Sequence, residues 1–204
     1  MSEVNTPVPV DPRDVALREL VVAGHIDRAT ELAIRAYGPE LVGWLCSMVP
    51  SEADAYDAFS WLCEELWRSL RNFDGRCSVR TWCYMLARHA ASRVRATPRH
   101  QREILVSEIP SVVQAVQEIW STTLVGARRA EDVYAQLRRE LDDEDQALLV
   151  LRVDRGLPWQ DIALVLLGQD ADADAVKRKA ATLRKQFERI KEHLRASAAK
   201  RLED

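Results

Sequence analysis

Apolar residues recur at intervals of three and four along most of the chain, which is the spacing of amphipathic α-helices. The pattern starts near Asp14 and is interrupted by turn-forming residues. The helix ends predicted in this way are Gly38-Pro39, Pro50-Ser51-Glu52 and Asp74-Gly75, and the second of these also provides the N-cap of the next helix. Ser78 or Thr81 can begin the next helix, which ends at Thr97-Pro98. No segment shows the strict alternation of a strand, so the sequence predicts an all-α protein.

The helical pattern falls into two units separated by a weakly patterned segment. We predict a mobile tail over residues 1–13, where prolines occur among residues with little to bury. A first helical domain follows over residues 14–97, and a second over residues 131–204. Residues 98–130 are interpreted as a linker with one short helix over residues 112–120. The expected architecture is therefore two small helical domains joined by a linker.

Charge is strongly segregated along the chain. The 204 residues carry a formal net charge of −3, which by itself argues against a uniformly basic nucleic-acid binder. Residues 76–102 nevertheless contain seven Arg and no acidic residue, and residues 176–204 contain ten basic and four acidic residues. The local field decides where a polyanion docks. These two cationic segments are therefore the candidate nucleic-acid surfaces.

Residues 142–195 have the pattern of a helix-turn-helix. A first helix ends at Asp154-Arg155-Gly156, Pro158 suits the first turn of the second helix, and Gly168 ends that helix. We expect Ile162 and Ala163 to be buried, since the small Ala163 allows close helix approach. The long basic helix that follows is the candidate recognition helix.

The candidate recognition helix has two different faces when drawn at about 100° per residue. Its expected core face consists of Val176, Ala180, Leu183 and Phe187. The opposite face, which can enter a major groove, consists of Arg178, Ala181, Thr182 and Lys185, with Lys177, Lys179 and Arg184 flanking it. A basic amphipathic helix alone is more often a solvated face, but its place behind the upstream half of the motif favours DNA binding. The preceding connection carries three Asp, which can cap this helix.

A second motif lies in the first cationic segment. Phe73-x-Gly75 is followed by Thr81-Trp82-x-Tyr84-x-x-Ala87, with Phe59-x-x-Leu62 and Leu66-Trp67 before it and Arg93 after it. This pattern resembles region 2 of bacterial extracytoplasmic-function (ECF) RNA polymerase sigma factors of the sigma-70 superfamily. The helix-turn-helix resembles their region 4. The two regions occur in the order and spacing of that family.

The resemblance implies a set of site residues. Contacts with the minus-ten element are implied for Arg80, Tyr84, Arg88, Arg93 and Arg95, and contacts with the minus-thirty-five element for Lys177, Arg178, Lys179, Thr182 and Lys185. Polymerase binding is implied for Glu52, Tyr56, Asp57 and Ser60, although Ala53 and Tyr56 depart from the Asp and Gln that are usual there. The helix with Leu148, Leu149 and Leu151 corresponds to the part that meets the β flap, for which an exposed apolar patch would be the sign. An aromatic residue at helical spacing is more often core, which favours a core role for Trp82 and leaves Tyr84 open between core and base stacking.

The function implied is that of a transcription initiation factor. It would bind RNA polymerase core through the β′ clamp helices and the β flap, direct it to promoters and aid melting. The expected location is the bacterial cytoplasm, and the protein would be associated with the nucleoid when it is part of the holoenzyme. An anti-sigma factor is a further expected partner. Two other interpretations remain open: an autonomous helix-turn-helix regulator that binds DNA as a dimer, and a helical adaptor for an acidic protein.

Catalysis, metal binding and membrane insertion are not indicated by the sequence. His25, His100 and His193 stand without a convergent carboxylate or nucleophile, and no glycine-rich phosphate loop occurs. Cys77, Cys83 and His89 are spaced by six residues, which fits no compact zinc site. We expect no cofactor and no enzymatic activity. No segment reaches the length of about 20 apolar residues that a membrane span needs.

Overall fold

The structure is a computed structural model that describes residues 11–97, 110–127 and 141–203. Within these ranges the chain is helical and contains no strand, so the all-α fold class is confirmed. Residues 1–10 of the predicted tail and much of the predicted linker, residues 98–109 and 128–130, lie outside the described residues. The start of the second unit, residues 131–140, also lies outside them. The division into two domains therefore stays a prediction.

Eight α-helices and one π-helical turn make up the described part of the chain. The first unit contains α1 (Pro12–Val22), α2 (Ile26–Met48), α3 (Glu52–Leu70) and α4 (Val79–Ala96). Helix α5 (Pro110–Ala127) follows in the predicted linker. The second unit contains α6 (Asp143–Leu149), the π-helical turn Val150–Asp154, α7 (Trp159–Leu167) and α8 (Ala173–Glu203).

Polar side chains cap the helices at their N-termini. Ser51 accepts a hydrogen bond from the Asp54 amide, as predicted for the start of α3. Of the two residues predicted to start α4, Ser78 is the cap, and it accepts from the Thr81 amide at 2.9 Å. Each such contact pairs an amide that has no partner inside the helix. These local hydrogen bonds fix where the helices begin.

Two predicted helix ends are wrong. Helix α2 runs through Gly38-Pro39 without a break, and α3 ends at Leu70, before Asp74-Gly75. A proline inside a helix costs about 3 kcal/mol. Tyr37 and Trp44, on either side of Pro39, are both completely buried in one core. Because burying a large side chain is worth about 1.5–3 kcal/mol, the continuous apolar stripe outweighs the proline.

The core of the first unit lies among α1–α4. Its largest fully buried side chains come from all four helices and are Leu17, Tyr37, Trp44, Phe59, Leu62, Leu66, Leu70 and Tyr84. Trp82 is 7% exposed, which confirms the core role that was favoured for it. Its ring packs edge-on against Phe73, and its indole N–H donates to the Ser69 hydroxyl.

The linker helix α5 is longer than predicted and packs against the first unit. It spans Pro110–Ala127 instead of residues 112–120. Its apolar stripe faces α2 and α3, and the buried members are Val112, Ala115, Val116 and Ile119. Ile119 lies over Gly38, where an added Cβ would come within 2.6 Å of the Ile119 Cδ1 atom. An ion pair between Arg35 and Glu118, with a 2.7 Å N–O distance, closes the edge of this contact.

The second unit packs directly on the first through α7 and α4. In the helix-turn-helix, Ile162 and Ala163 are fully buried as predicted, and Gly168 ends α7 with a φ of 94°. The turn before α7 also reaches the first unit, because an Arg155 Nη atom lies 3.4 Å from the place of a Cβ at Gly43. The backbone at Gly43 thus lies directly beside the Arg155 side chain of the second unit.

Candidate nucleic-acid interface

Arg80 opens the cationic face of α4 and is paired within the first unit. Its Nε and Nη2 atoms donate to the two carboxylate oxygens of Glu40 on α2, each at 2.7 Å. This hydrogen-bonded pair raises the pKa of Arg80. The guanidinium also lies 5.9 Å from the Tyr84 ring centre. Arg80 is therefore held in place by α2, with about a quarter of its side chain exposed.

Arg88, in the middle of α4, contacts the second unit. Its Nη1 atom donates to the Leu166 carbonyl oxygen at 2.5 Å. That carbonyl belongs to the last turn of α7, where unpaired carbonyl groups form the negative end of the helix dipole. Burial lowers the pKa of Arg88. A half-buried cation of this kind needs an acceptor, and here α7 provides it.

The last turn of α4 carries two further cations. Arg95 donates to Asp143 Oδ2 at 2.7 Å and to the Met48 carbonyl at 3.2 Å. Asp143 is the first residue of α6, so this ion pair again joins the two units. Arg93 instead lies over the Trp61 ring, 5.5 Å from its centre, and is exposed.

The loop before α4 and its first turn meet the second unit as well. Arg76 donates to the Gln169 carbonyl at 2.9 Å, and the Thr81 hydroxyl donates to Asp161 Oδ2 at 2.8 Å. Burial raises the pKa of Asp161. A cavity of about 390 Å³ lies between this loop, α4 and the connection from α7 to α8. Its apolar walls are Trp82, Met85, Leu164 and Val176.

Tyr84 is a core residue in this structure, which corrects its expected role as a base contact. The side chain is completely buried and packs edge-on against Trp44, with ring centres 5.2 Å apart. Burial also raises the pKa of its hydroxyl. Because neither ring face is open, Tyr84 offers nothing on which a base could stack. The periodicity left both roles open, and packing against α2 decides between them.

The predicted faces of the recognition helix agree with the exposure pattern of α8. Ala180 and Leu183 are buried, and Val176 and Phe187 are half-buried. The opposite face, Arg178, Ala181, Thr182 and Lys185, is exposed. Lys177 is also exposed, whereas Lys179 pairs with Glu144 at 2.5 Å. Asp172 accepts from the Ala175 amide at 2.7 Å and so caps the helix, as expected for one of the three Asp.

The four residues expected to bind polymerase lie on α3. Glu52 and Tyr56 are exposed, and Asp57 and Ser60 are half-buried. Tyr56 packs edge-on against Trp120 of α5, with ring centres 5.0 Å apart. The linker helix therefore lies beside this surface. Sequence reasoning missed the role of α5, although its stripe at positions 112, 115, 116 and 119 has the spacing of a helix that buries one face.

The apolar patch expected for the β flap is absent from its predicted place, and this expectation is corrected. Leu148 and Leu151 are completely buried, and Leu149 is 8% exposed. Their side chains are part of the core of the second unit, together with residues such as Ile162, Leu166 and Leu183. These three leucines therefore offer no exposed apolar surface for a flap contact.

Neither a metal centre nor a reactive thiol is apparent in the described part of the chain. All four cysteines are free, and no group of three potential metal ligands occurs among the described residues. Burial raises the pKa of Cys77 to about 12, so this thiol is not poised as a nucleophile. None of the described helices is long and apolar enough to span a membrane.

Comparison with protein-family models found a match within the first unit and the residues just after it. Residues 33–99 match the model of sigma-70 region 2, and this segment contains most of α2 and all of α3 and α4. The match supports a sigma-70 family sigma factor, a class of non-catalytic initiation factors that act with RNA polymerase in promoter recognition and melting. We found no match to the chain among curated proteins or among solved structures.

Proposed function

We propose that the chain is a dissociable transcription initiation factor of the ECF subclass. It binds RNA polymerase core, places α8 on the minus-thirty-five element and α4 on the minus-ten element, and aids strand separation without performing chemistry. The observation that carries this proposal is the region 2 match over residues 33–99, which contains the Arg-rich helix α4. An autonomous repressor has no use for such a segment.

The geometry of α8 supports the proposed contact of this helix with the minus-thirty-five element. Its exposed face carries Arg178, Thr182 and Lys185, and its other face is packed in the helix-turn-helix. A helix that presents long cationic and hydroxyl side chains on one exposed face suits the major groove. Lys177 flanks this face and suits a phosphate contact. These residues are the proposed minus-thirty-five contacts, together with Lys179 once its pairing with Glu144 is released.

Strand capture is proposed for Arg80, Arg88, Arg93 and Arg95 on α4. Single-stranded DNA needs phosphate neutralisation and a pocket in which an unstacked base regains contacts. Polymerase binding is proposed for Glu52, Tyr56, Asp57 and Ser60 on α3, through the β′ clamp helices. We place this factor in the bacterial cytoplasm, on the nucleoid when in holoenzyme, with an anti-sigma factor as a regulatory partner.

The test is run-off transcription on fragmented genomic DNA of the source bacterium, with core polymerase and with or without the chain. Discrete start sites that require the chain support the proposal. The double variant Arg178→Ala/Lys185→Ala should weaken those starts, whereas the control Arg195→Ala, at an exposed position on another face of α8, should not. If the chain neither binds core nor starts transcription but binds duplex DNA as a dimer, the autonomous-regulator interpretation replaces it.

A further inference from the structure

The cavity of about 390 Å³ between α4 and the start of α8 has apolar walls of mixed shape. Helix α4 contributes Trp82 and Met85, which are buried, and the second unit contributes Leu164 and Val176, which are half-buried. Small-molecule sites in proteins typically have volumes of about 300–1,000 Å³ and are lined mostly by apolar and aromatic side chains. The volume and the walls of this cavity therefore suit a small ligand with a flat apolar body.

Asp161 places a half-buried carboxylate at the wall of this cavity. Among the described residues, the Thr81 hydroxyl is its only hydrogen-bond donor, at 2.8 Å, and no Lys or Arg lies within ion-pair distance. Arg80 acts on the carboxylate from a greater distance, but its own Nε and Nη2 atoms already donate to Glu40. Since buried charges in proteins are normally paired, the Asp161 carboxylate remains an acceptor for a cation.

The other charged side chains of the wall have partners of their own. Arg76 Nε donates to Asp74 Oδ2 at 2.5 Å. Asp172 caps α8, and the exposed Lys177 has its ammonium nitrogen 3.8 Å from Asp174 Oδ1. The wall thus contains three carboxylates and two cations, and each of the two cations has a carboxylate beside it. This balance favours a positively charged ligand over a negatively charged one.

The electrostatic field inside the cavity is negative. Cys77 also lines the cavity, and burial together with the charges of Asp161 and Asp74 raises the pKa of its thiol to about 12. Burial raises the pKa of Asp161 itself, and the charge of Asp14 adds to this rise. A cation held close to Asp161 would offset these effects, because an opposite charge favours the ionised form of a carboxylate.

We propose that this cavity is a binding site for a small amphipathic amine. The apolar body of the ligand lies between the walls provided by α4 and by the second unit, and its ammonium group donates to the Asp161 carboxylate. A hydrogen bond between two charged groups is stronger than one between neutral groups, so the charge of the ligand decides its affinity. The inference goes beyond the proposed function and does not depend on it.

The test measures the binding of three indole probes to the full chain at pH 7 by isothermal titration calorimetry. Tryptamine carries an ammonium group, tryptophol a neutral hydroxyl and indole-3-propionate a carboxylate on the same apolar body. Asp161→Asn removes the proposed partner of the ammonium group. The control Asp170→Asn removes the same charge at an exposed position that does not line the cavity. Val176→Phe narrows the cavity itself, and circular dichroism checks the folding of each variant.

Tryptamine should bind saturably at one site per chain, about tenfold more tightly than tryptophol, and indole-3-propionate should bind most weakly. Asp161→Asn should reduce the tryptamine affinity about tenfold and leave that of tryptophol unchanged, whereas Asp170→Asn should change neither. Val176→Phe should weaken both probes.

Three results would overturn the proposal. They are the absence of saturable tryptamine binding, an affinity for tryptophol or indole-3-propionate equal to that for tryptamine, and an equal loss in the Asp161 and Asp170 variants. If Asp161→Asn does not fold, the comparison of the three probes on the wild-type chain still decides whether the site selects a cation. Transcription assays do not enter this test, so failure of the amine site leaves the proposed initiation function untouched.

Discussion

At the scale of single residues, Asp161 is a partly buried carboxylate in the contact between the two units. Its carboxylate accepts from the Thr81 hydroxyl, but burial raises its pKa, and Arg80 is the cation that partly offsets this effect. Asp14 of α1 adds to the rise. Burial therefore disfavours the charged form of this carboxylate relative to a neutral acceptor at the same place.

Asp161→Asn should stabilise the folded chain at pH 7. The pKa of Asp161 is higher in the folded chain than in the unfolded chain, where it is near 4, so its contribution to the free energy of unfolding is fully present below that pH. The contribution is lost as the pH rises through the raised pKa of the folded chain. Asn keeps an oxygen acceptor for Thr81 and has no proton to lose. Thermal unfolding should show a higher midpoint for the variant at pH 7, and the difference should disappear towards pH 4. The control, Asp170→Asn at an exposed position, should show no such dependence.

At the scale of helices, α4 owes its start to one hydroxyl. Ser78 is the N-cap and also shares a hydrogen bond with the Thr81 side chain at 2.8 Å. Ser78→Ala should therefore lower the free energy of unfolding by about 0.5–2 kcal/mol, as for other helix caps. Urea denaturation gives this value. Ser92→Ala, at an exposed position within α4, should not destabilise the chain, and an equal loss in both variants would contradict the capping role.

Helix α5 depends on tertiary contacts for its position. Ile119 is 8% exposed against Gly38, and Trp120 packs on Tyr56. Ile119→Asp would bury a charge without a partner, so α5 should leave α2 and α3 while α1–α4 stay folded. Limited proteolysis should then cut within residues 110–127 of this variant faster than in wild type. Gln117→Asp, on the exposed side of α5, is the control. Unchanged protection in Ile119→Asp would show that α5 is not held by this contact.

At the scale of the whole molecule, the contact between α4 and α7 should couple the two units. Calorimetry of the wild-type chain should show one unfolding transition, because the second unit loses its packing against α4 when the first unit unfolds. In Asp143→Arg/Asp161→Arg the transition should divide into two, with the smaller unit unfolding first. Two transitions in the wild type would contradict the coupling.

The sequence predicted much of the local structure and part of the candidate site. The all-α class, the caps at Ser51 and Ser78, the end of α7 at Gly168 and the two faces of α8 all follow from neighbours within one or two helical turns. The predicted break at Gly38-Pro39 is wrong because it was also inferred from neighbouring residues alone. Such local preferences take no account of the core contacts that the helix makes on both sides of Pro39.

The sequence by itself determined where helices begin, which faces are apolar and where cationic residues accumulate, because these depend on residues three or four positions apart. The tertiary structure alone decided what each cation contacts. Arg88 and the Leu166 carbonyl are 78 residues apart, and Arg76 and the Gln169 carbonyl are 93 apart. It also decided that Tyr84 is core and that α5 covers α2. Such contacts follow from how complete helices pack, and no short sequence window contains that information.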